Sequence, residues 1–258
     1  MAEHAYIEQW IEDGVGRIAL NRPDVLNALS RPMVSEMVHA LAELDHKPEV
    51  KVILITGNGP SFAAGADIEE MKEDNPVSLE LYNQFAVWDQ IALIKKPIIS
   101  AVQGYALGGG FELVLSTDIV FAAENATFGF PEVKIGVMPG AGGTVKLAKQ
   151  LGKWQALEWL WTGKHMSAQQ ACAYGLVTRV VPAESLYEEA LSFAKRIANM
   201  PALSIRLIKD TVIRAQDLSV YDAMQYERKN FYLLFASDDQ KEGMQAFAEK
   251  RPANFRGR

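Results

Sequence analysis

A buried-strand pattern, IISAVQG (98–104), runs directly into YALGGGFEL, and the triplet Gly108-Gly109-Gly110 most limits what this chain can form. Three consecutive glycines cost roughly 1 kcal/mol each in a helix relative to alanine, so a fold that keeps them needs uncovered backbone there. Glu112 follows inside an otherwise apolar segment, and a second carboxylate, Glu132, comes after a glycine and a proline in TFGFPE. A helix beginning near Gly109 would carry Glu112 in its first turn and end before Asp118. Bare amides close to two carboxylates are the raw material of a catalytic site.

The same arrangement of strand, glycine-rich turn and helix recurs along the chain. Residues 5–11 and 15–20 read as short strands around Glu12-Asp13-Gly14. Ser30 is placed as an N-cap before Met33, Val34, Met37, Val38, Leu41 and Leu44, which recur at helical spacing. VKVILIT (50–56) reads as a buried strand, IVFAA (119–123) as another, and TFGF as a short one. In SFAAGADIEEM (61–71), small residues leave the backbone uncovered before Asp67, Glu69 and Glu70 open a helix. Residues 72–80 are polar and contain a proline, which predicts a mobile loop, and Tyr82 to Ile94 predicts a helix. A second glycine cluster, at 140, 142 and 143, opens a further helix. This alternation argues for an α/β fold. From about residue 153 the pattern becomes helical, with 176–181 the only expected strand and an amphipathic tail. We divide the chain into a core, residues 1–195, and a C-terminal helical region, residues 196–258.

Composition narrows the function. A net charge of −6 and a pI near 5.4 argue against a duplex nucleic-acid binder, which would show a basic face. The single cysteine, Cys172, allows no intrachain disulfide and no cysteine-rich metal cluster, and reads as a small helix residue in AQQACAYG. The start, MAEHAYIEQW, lacks the basic segment and apolar run of a signal peptide, and no apolar run approaches the ~20 residues needed to span a bilayer. The expectation is a cytoplasmic protein without a membrane.

His4, His39, His46 and His165 all lie outside the glycine-rich segments, and neither Ser61 nor Ser100 sits in a G-x-S-x-G elbow. A serine triad is therefore disfavoured, and no histidine–carboxylate spacing suggests a metal site. The two glycine clusters miss both the dinucleotide and the phosphate-loop patterns, so close helix–strand packing stays open for each. What remains is carboxylate acid/base chemistry beside backbone donors. Either glutamate alone could equally cap a helix or pair with a lysine. If desolvated, each would have the raised pKa that a general acid near neutral pH needs.

Taken together, SFAAGADIEEM, KKPIISAVQGYALGGGFEL, TFGFPEVKIGVMPGAGGT, AYGLVTRVV, ASDDQKEGMQAFAEKR and NRPDVLNAL resemble the enoyl-CoA hydratase/isomerase (crotonase) family. The resemblance covers essentially the whole chain in order. It implies a spiral of ββα units with a helical C-terminal region used in trimerisation, as a homotrimer or a dimer of trimers. By this resemblance the amides of Ala66 and Gly109 form an oxyanion hole for the thioester oxygen of an acyl-CoA substrate. Coenzyme A would enter as part of that substrate, with no permanently bound cofactor. The resemblance further makes Glu132 the proton donor to C2 and Glu112 the base toward water, with the Gly140 backbone helping to orient that water. Hydratases of the family keep both glutamates, whereas its isomerases and thioester hydrolases commonly lack one. The CoA contacts it implies are Ala64, Asp67 and Ile68 near the adenine, Val25 and Leu26 near the pantetheine, and Ala66. Phe247 and Lys250 would reach the nucleotide from a neighbouring subunit, although Lys250 could equally be a solvated surface lysine. Phe130 departs from the polar residue common before Pro-Glu, and 72–85 matches no fixed motif, which leaves acyl length open. The expected activity is hydration of a trans-2-enoyl-CoA to a 3-hydroxyacyl-CoA. Double-bond isomerisation is the alternative, and a non-catalytic or RNA-associated role a third.

Overall fold

The computed structural model describes residues 4–257; the outermost residues of the two expected regions, 1–3 and 258, lie outside them. β1 (Ile7–Glu12) and β2 (Val15–Leu20) form an antiparallel hairpin. Helix α1 (Arg31–His46) begins where Ser30 Oγ accepts the Met33 amide, and it buries Met33, Met37, Val38, Leu41 and Leu44, as their spacing predicted. Next come β3 (Val52–Gly57) and the single turn α2 (Ile68–Met71).

The expected loop at 72–80 instead contains a helix, α3 (Pro76–Tyr82). Asn75 Oδ1 accepts the amides of Val77 and Ser78, Ser78 Oγ accepts the Asn75 amide, and Pro76 occupies the first turn. A proline that reads as a breaker is here a helix starter, because the first-turn N–H it lacks has no helical partner anyway. The helix expected over 82–94 is broken: Asn83 turns left-handed, α4 spans Phe85–Asp89, and a 3-10 turn covers Gln90–Leu93.

β4 (Ile98–Val102) then delivers the chain to β5 (Tyr105–Leu107) and α5 (Gly109–Val114), followed by β6 (Ile119–Ala123) and β7 (Thr127–Gly129). α6 (Gly143–Leu151) and α7 (Lys153–Thr162) precede β8 (His165–Ser167), α8 (Ala168–Ala173) and β9 (Arg179–Val181). β8 corrects the expectation that 176–181 holds the only late strand; three residues are too few to show an alternating pattern. The chain ends in α9 (Leu186–Ala198), α10 (Ala202–Ala215), α11 (Val220–Leu234) and α12 (Asp238–Glu249).

Six strands pair in the order β1-β2-β3-β4-β6-β9, parallel except for the first pair, and β5-β7-β8 form a second sheet. Strand residues alternate between two cores. Val52, Leu54, Ile99, Ala101 and Phe121 pack with Leu186, Ala190, Leu191 and Ala194 of α9, while Ile53, Ile55, Ile98, Val102 and Ala122 face the core that includes α1. A parallel sheet covered on both faces explains why these strands are continuously apolar. The expected boundary at 195 falls inside α9, whose inner face belongs to the second core.

Strand β4 passes through β5 into α5, so the glycine triplet lies where the two sheets meet. Bridges Ala63↔Ala106 and Leu29↔Ala66 bring the 61–67 segment against this junction. A Cβ on Gly110 would overlap the Ala63 carbonyl oxygen, so backbone touches backbone there. Gly110→Ala is expected to destabilise the protein by about 3 kcal/mol, the upper end for overpacking, because the obstructing atom is main chain. Urea unfolding of the variant checks this, and an unchanged midpoint would show that the close approach is dispensable.

Candidate active site

Of the residues singled out in the sequence, Ala66, Gly109, Glu112 and Glu132 converge at the junction of the two sheets. Residue 109 opens α5, and a Cβ built on it would lie 3.6 Å from the Ala66 amide nitrogen. Segments distant in sequence thus bring the backbone of Gly109 against the Ala66 amide. Among the described residues neither amide donates a hydrogen bond within the chain. Gly108 takes φ +48° and ψ −123°, and a Cβ there would fall 2.8 Å from Glu132 Oε1. The triplet therefore serves three purposes: approach to Glu132, a free amide, and backbone contact with Ala63.

Glu112 is buried, at 4% exposure, and its Oε1 accepts the amides of Ala141 (2.7 Å) and Gly143 (2.8 Å). Burial pushes its carboxyl above the ordinary range, opposed by these two amides and by the charge of Lys146. Glu132 sits at the start of a 3-10 turn (Pro131–Ile135) beyond β7. Its Oε2 is buried without a hydrogen-bond partner among the described residues. Burial pushes Glu132 up to about 7, and the neighbouring charge of Glu112 adds to the rise. The two carboxyls therefore differ in kind: one is held by donors that favour its ionised form, the other is poised to carry a proton near neutral pH.

Sequence reasoning missed several participants. Beside Gly140, whose backbone was expected to help orient the water, it did not single out the amides of Ala141 and Gly143, which donate to Glu112. Gly140 itself abuts Phe85, with a built Cβ 2.8 Å from the ring tip, so α4 borders the site. Asn27 was also missed: fully buried in a left-handed turn, it donates to the carbonyls of Asn58 and Ser61 and accepts the Arg22 amide. The glycine spacing in PGAGG signalled a backbone role there without saying which amide would point inward.

With this geometry in view, comparison with known proteins decides the family. The sequence profile described as enoyl-CoA hydratase/isomerase matches residues 10–258. The chain belongs to the enoyl-CoA hydratase/isomerase family. It is 45% identical over 241 residues to a probable enoyl-CoA hydratase of Mycobacterium bovis, covering 93% of this chain and 94% of the relative. It is 44% identical over 242 residues to the mitochondrial enoyl-CoA hydratase of Pongo abelii, covering 94% of this chain and 83% of that one. Among solved structures, enoyl-CoA hydratase subunit I of Geobacillus kaustophilus superposes with a TM-score of 0.98 at 56% identity over the full length of both chains. The crotonase-like α/β fold expected from the motifs is the one observed.

Within this family fold, the residues expected to contact CoA separate into two groups. Val25 closes a 3-10 turn (Pro23–Val25), and the Ala64 amide donates to the Leu26 carbonyl oxygen at 2.9 Å. The Leu29 amide donates to Gly65 and that of Asp67 to Leu29, while Arg22 Nη1 pairs with Asp67 at 3.1 Å. Val25, Leu26, Ala64, Asp67 and Ile68 thus form one wall leading to the Ala66 amide, with Val25 and Ile68 exposed along it. Phe247 and Lys250 are not part of this wall: Phe247 is 87% exposed on α12 and Lys250 caps that helix in a left-handed turn.

Stability should carry the signature of Glu132. Its folded-state pKa near 7 lies above the ordinary value of 4.5, so the folded protein binds more protons between these values and loses stability as pH rises through them. Glu132→Gln is expected to flatten that fall and to be more stable than the wild type at about pH 8. Urea unfolding across this range checks the slope; parallel curves for the two proteins would rule the assignment out.

Proposed function

We propose that this chain adds water across the C2=C3 bond of trans-2-enoyl-CoA thioesters to give 3-hydroxyacyl-CoA. The observation that carries the reading is the meeting of two differently poised glutamates beside the paired amides of Ala66 and Gly109. As water attacks C3, charge develops on the thioester oxygen; two preorganised N–H donors facing it are each worth about 3 kcal/mol by analogy with oxyanion-hole deletions. Glu112, held by Ala141 and Gly143, takes a proton from the water. Glu132 gives its proton to C2, and the oxyanion collapses back to the carbonyl. The Val25–Leu26 turn and the Ala64–Ile68 segment line the path for the CoA moiety, and Gly140 and Phe85 border the reacting end.

The C-terminal region supports self-assembly. α10 and α11 bury none of their residues within the chain, and Ile208, Val212, Tyr221 and Phe231 are exposed on them. Helices with so much apolar surface need a cover. We assign that cover to further copies of the chain, in a homotrimer or a dimer of trimers, with residues 196–258 as the assembling region. Phe247 and Lys250 would then serve the nucleotide end of a neighbouring copy's substrate. The acidic balance and single cysteine suit the cytoplasm.

Loss of enoyl absorbance with crotonyl-CoA tests the chemistry. Glu112→Gln and Glu132→Gln are each expected to lower turnover at least ~100-fold, the lower range for removing a general acid or base. Gly109→Pro, which deletes the amide and leaves both glutamates, should be comparably damaging. Full activity in either glutamine variant would overturn the two-glutamate mechanism, and isomerisation without hydration would move the chain to the alternative reaction. Light scattering at micromolar concentration checks the assembly, where a monomer would contradict it.

A further inference from the structure

Lys146, so far only a charge acting on Glu112, has a side chain built into the site. It lies in the first turns of α6, and its stem folds back over Gly142, where a built Cβ would lie 3.2 Å from Lys146 Cε. Its Nζ donates to Ser116 Oγ at 2.6 Å, and Ser116 Oγ donates in turn to the backbone carbonyl of Glu112 at 2.7 Å. Among the described residues this half-buried ammonium forms no direct ion pair with a carboxylate. A desolvated cation that takes a hydroxyl as its acceptor is costly, and a fold that keeps one uses its charge at a distance.

The contacts close a ring. Glu112 Oε1 holds Ala141 and Gly143 at the start of α6, and Lys146, one turn further on, returns through Ser116 to the main chain of Glu112. We propose that Lys146 is a positioning residue that, through Ser116, locks Glu112 in register with the loop amides and supplies the positive charge facing its carboxylate. The inference rests on the hydratase reading above. The charged groups that act on it are Glu112 on α5 and Asp89 on α4, both of which oppose the effect of burial on the lysine, and Glu112 in turn acts on Glu132. Lys146 favours the ionised form of Glu112, so removing its charge should raise the pH at which Glu112 gives up its proton.

Lys146→Met, Lys146→Arg and Ser116→Ala enzymes should be compared with the wild type in kcat and KM for crotonyl-CoA hydration between about pH 5 and 9. Lys146→Met is expected to lower kcat about tenfold, to move its acid limb about one pH unit upward, and to leave KM within about twofold. Lys146→Arg should restore most of kcat and the original limb, and Ser116→Ala should fall between. Carbon-13 NMR titration of labelled glutamate, assigned with Glu112→Gln, reads the same shift without turnover, and Ser116→Ala carries the test if Lys146→Met fails to fold. An unmoved Glu112 titration in an otherwise active hydratase overturns the proposal, as does an arginine variant no better than methionine. A wild type that hydrates no enoyl-CoA but shows the titration shift counts against the hydratase reading instead.

Discussion

The carboxylate of Glu112 is buried, and it is kept there by the amides of Ala141 and Gly143. A carboxylate in that position without its donors would face a desolvation penalty of several kcal/mol, so the loop before α6 and the helix that carries Glu112 must stay in one arrangement. That requirement propagates. α5 can approach the 61–67 segment only because Gly110 lacks a side chain, and this same approach brings Gly109 against the Ala66 amide. One interaction thus couples the placement of Glu112 to the contact between Gly109 and the Ala66 amide.

The surroundings of this junction are stiff where the geometry matters. Phe111 stacks on Phe130 at 4.9 Å between ring centroids and tilts against Phe128 at 5.3 Å, locking α5 to β7 and to the turn that carries Glu132. Such aromatic pairs add about 0.5–1.5 kcal/mol each beyond the area they bury. Phe130, the departure from the family pattern before Pro-Glu, has an apolar partner in this stack. The α2–α4 wall is different: short helices with Ile68, Val77, Leu81 and Phe85 exposed.

Strands such as 50–56 and 98–104 were legible because burial on both faces demands continuous apolar residues, and α1 because its apolar spacing and Ser30 cap agree. The short strands β5 and β8 were not, since three residues carry no periodic signal and form only because partners in the second sheet are already placed. α3 was hidden by its composition, as a capping arrangement around Asn75 and Pro76 reads in sequence like a polar break. In the site, Glu112 and Glu132 stood out as carboxylates in apolar, glycine-flanked contexts. Asn27 and Lys146 did not, because a buried asparagine and an inward-turned lysine look like surface residues until their partners are known.

By itself, the amino-acid sequence determined the α/β alternation, the helical C-terminal region and the residue types available for chemistry, because local periodicity, glycine placement and isolated carboxylates are properties of short segments. Only the tertiary structure decided that the amides of Ala141 and Gly143 hold Glu112 and that burial pushes Glu132 up to about 7. Those outcomes depend on contacts between segments far apart in the chain and on exclusion of water from the space between them, and neither exists until the two sheets close around the glycine triplet.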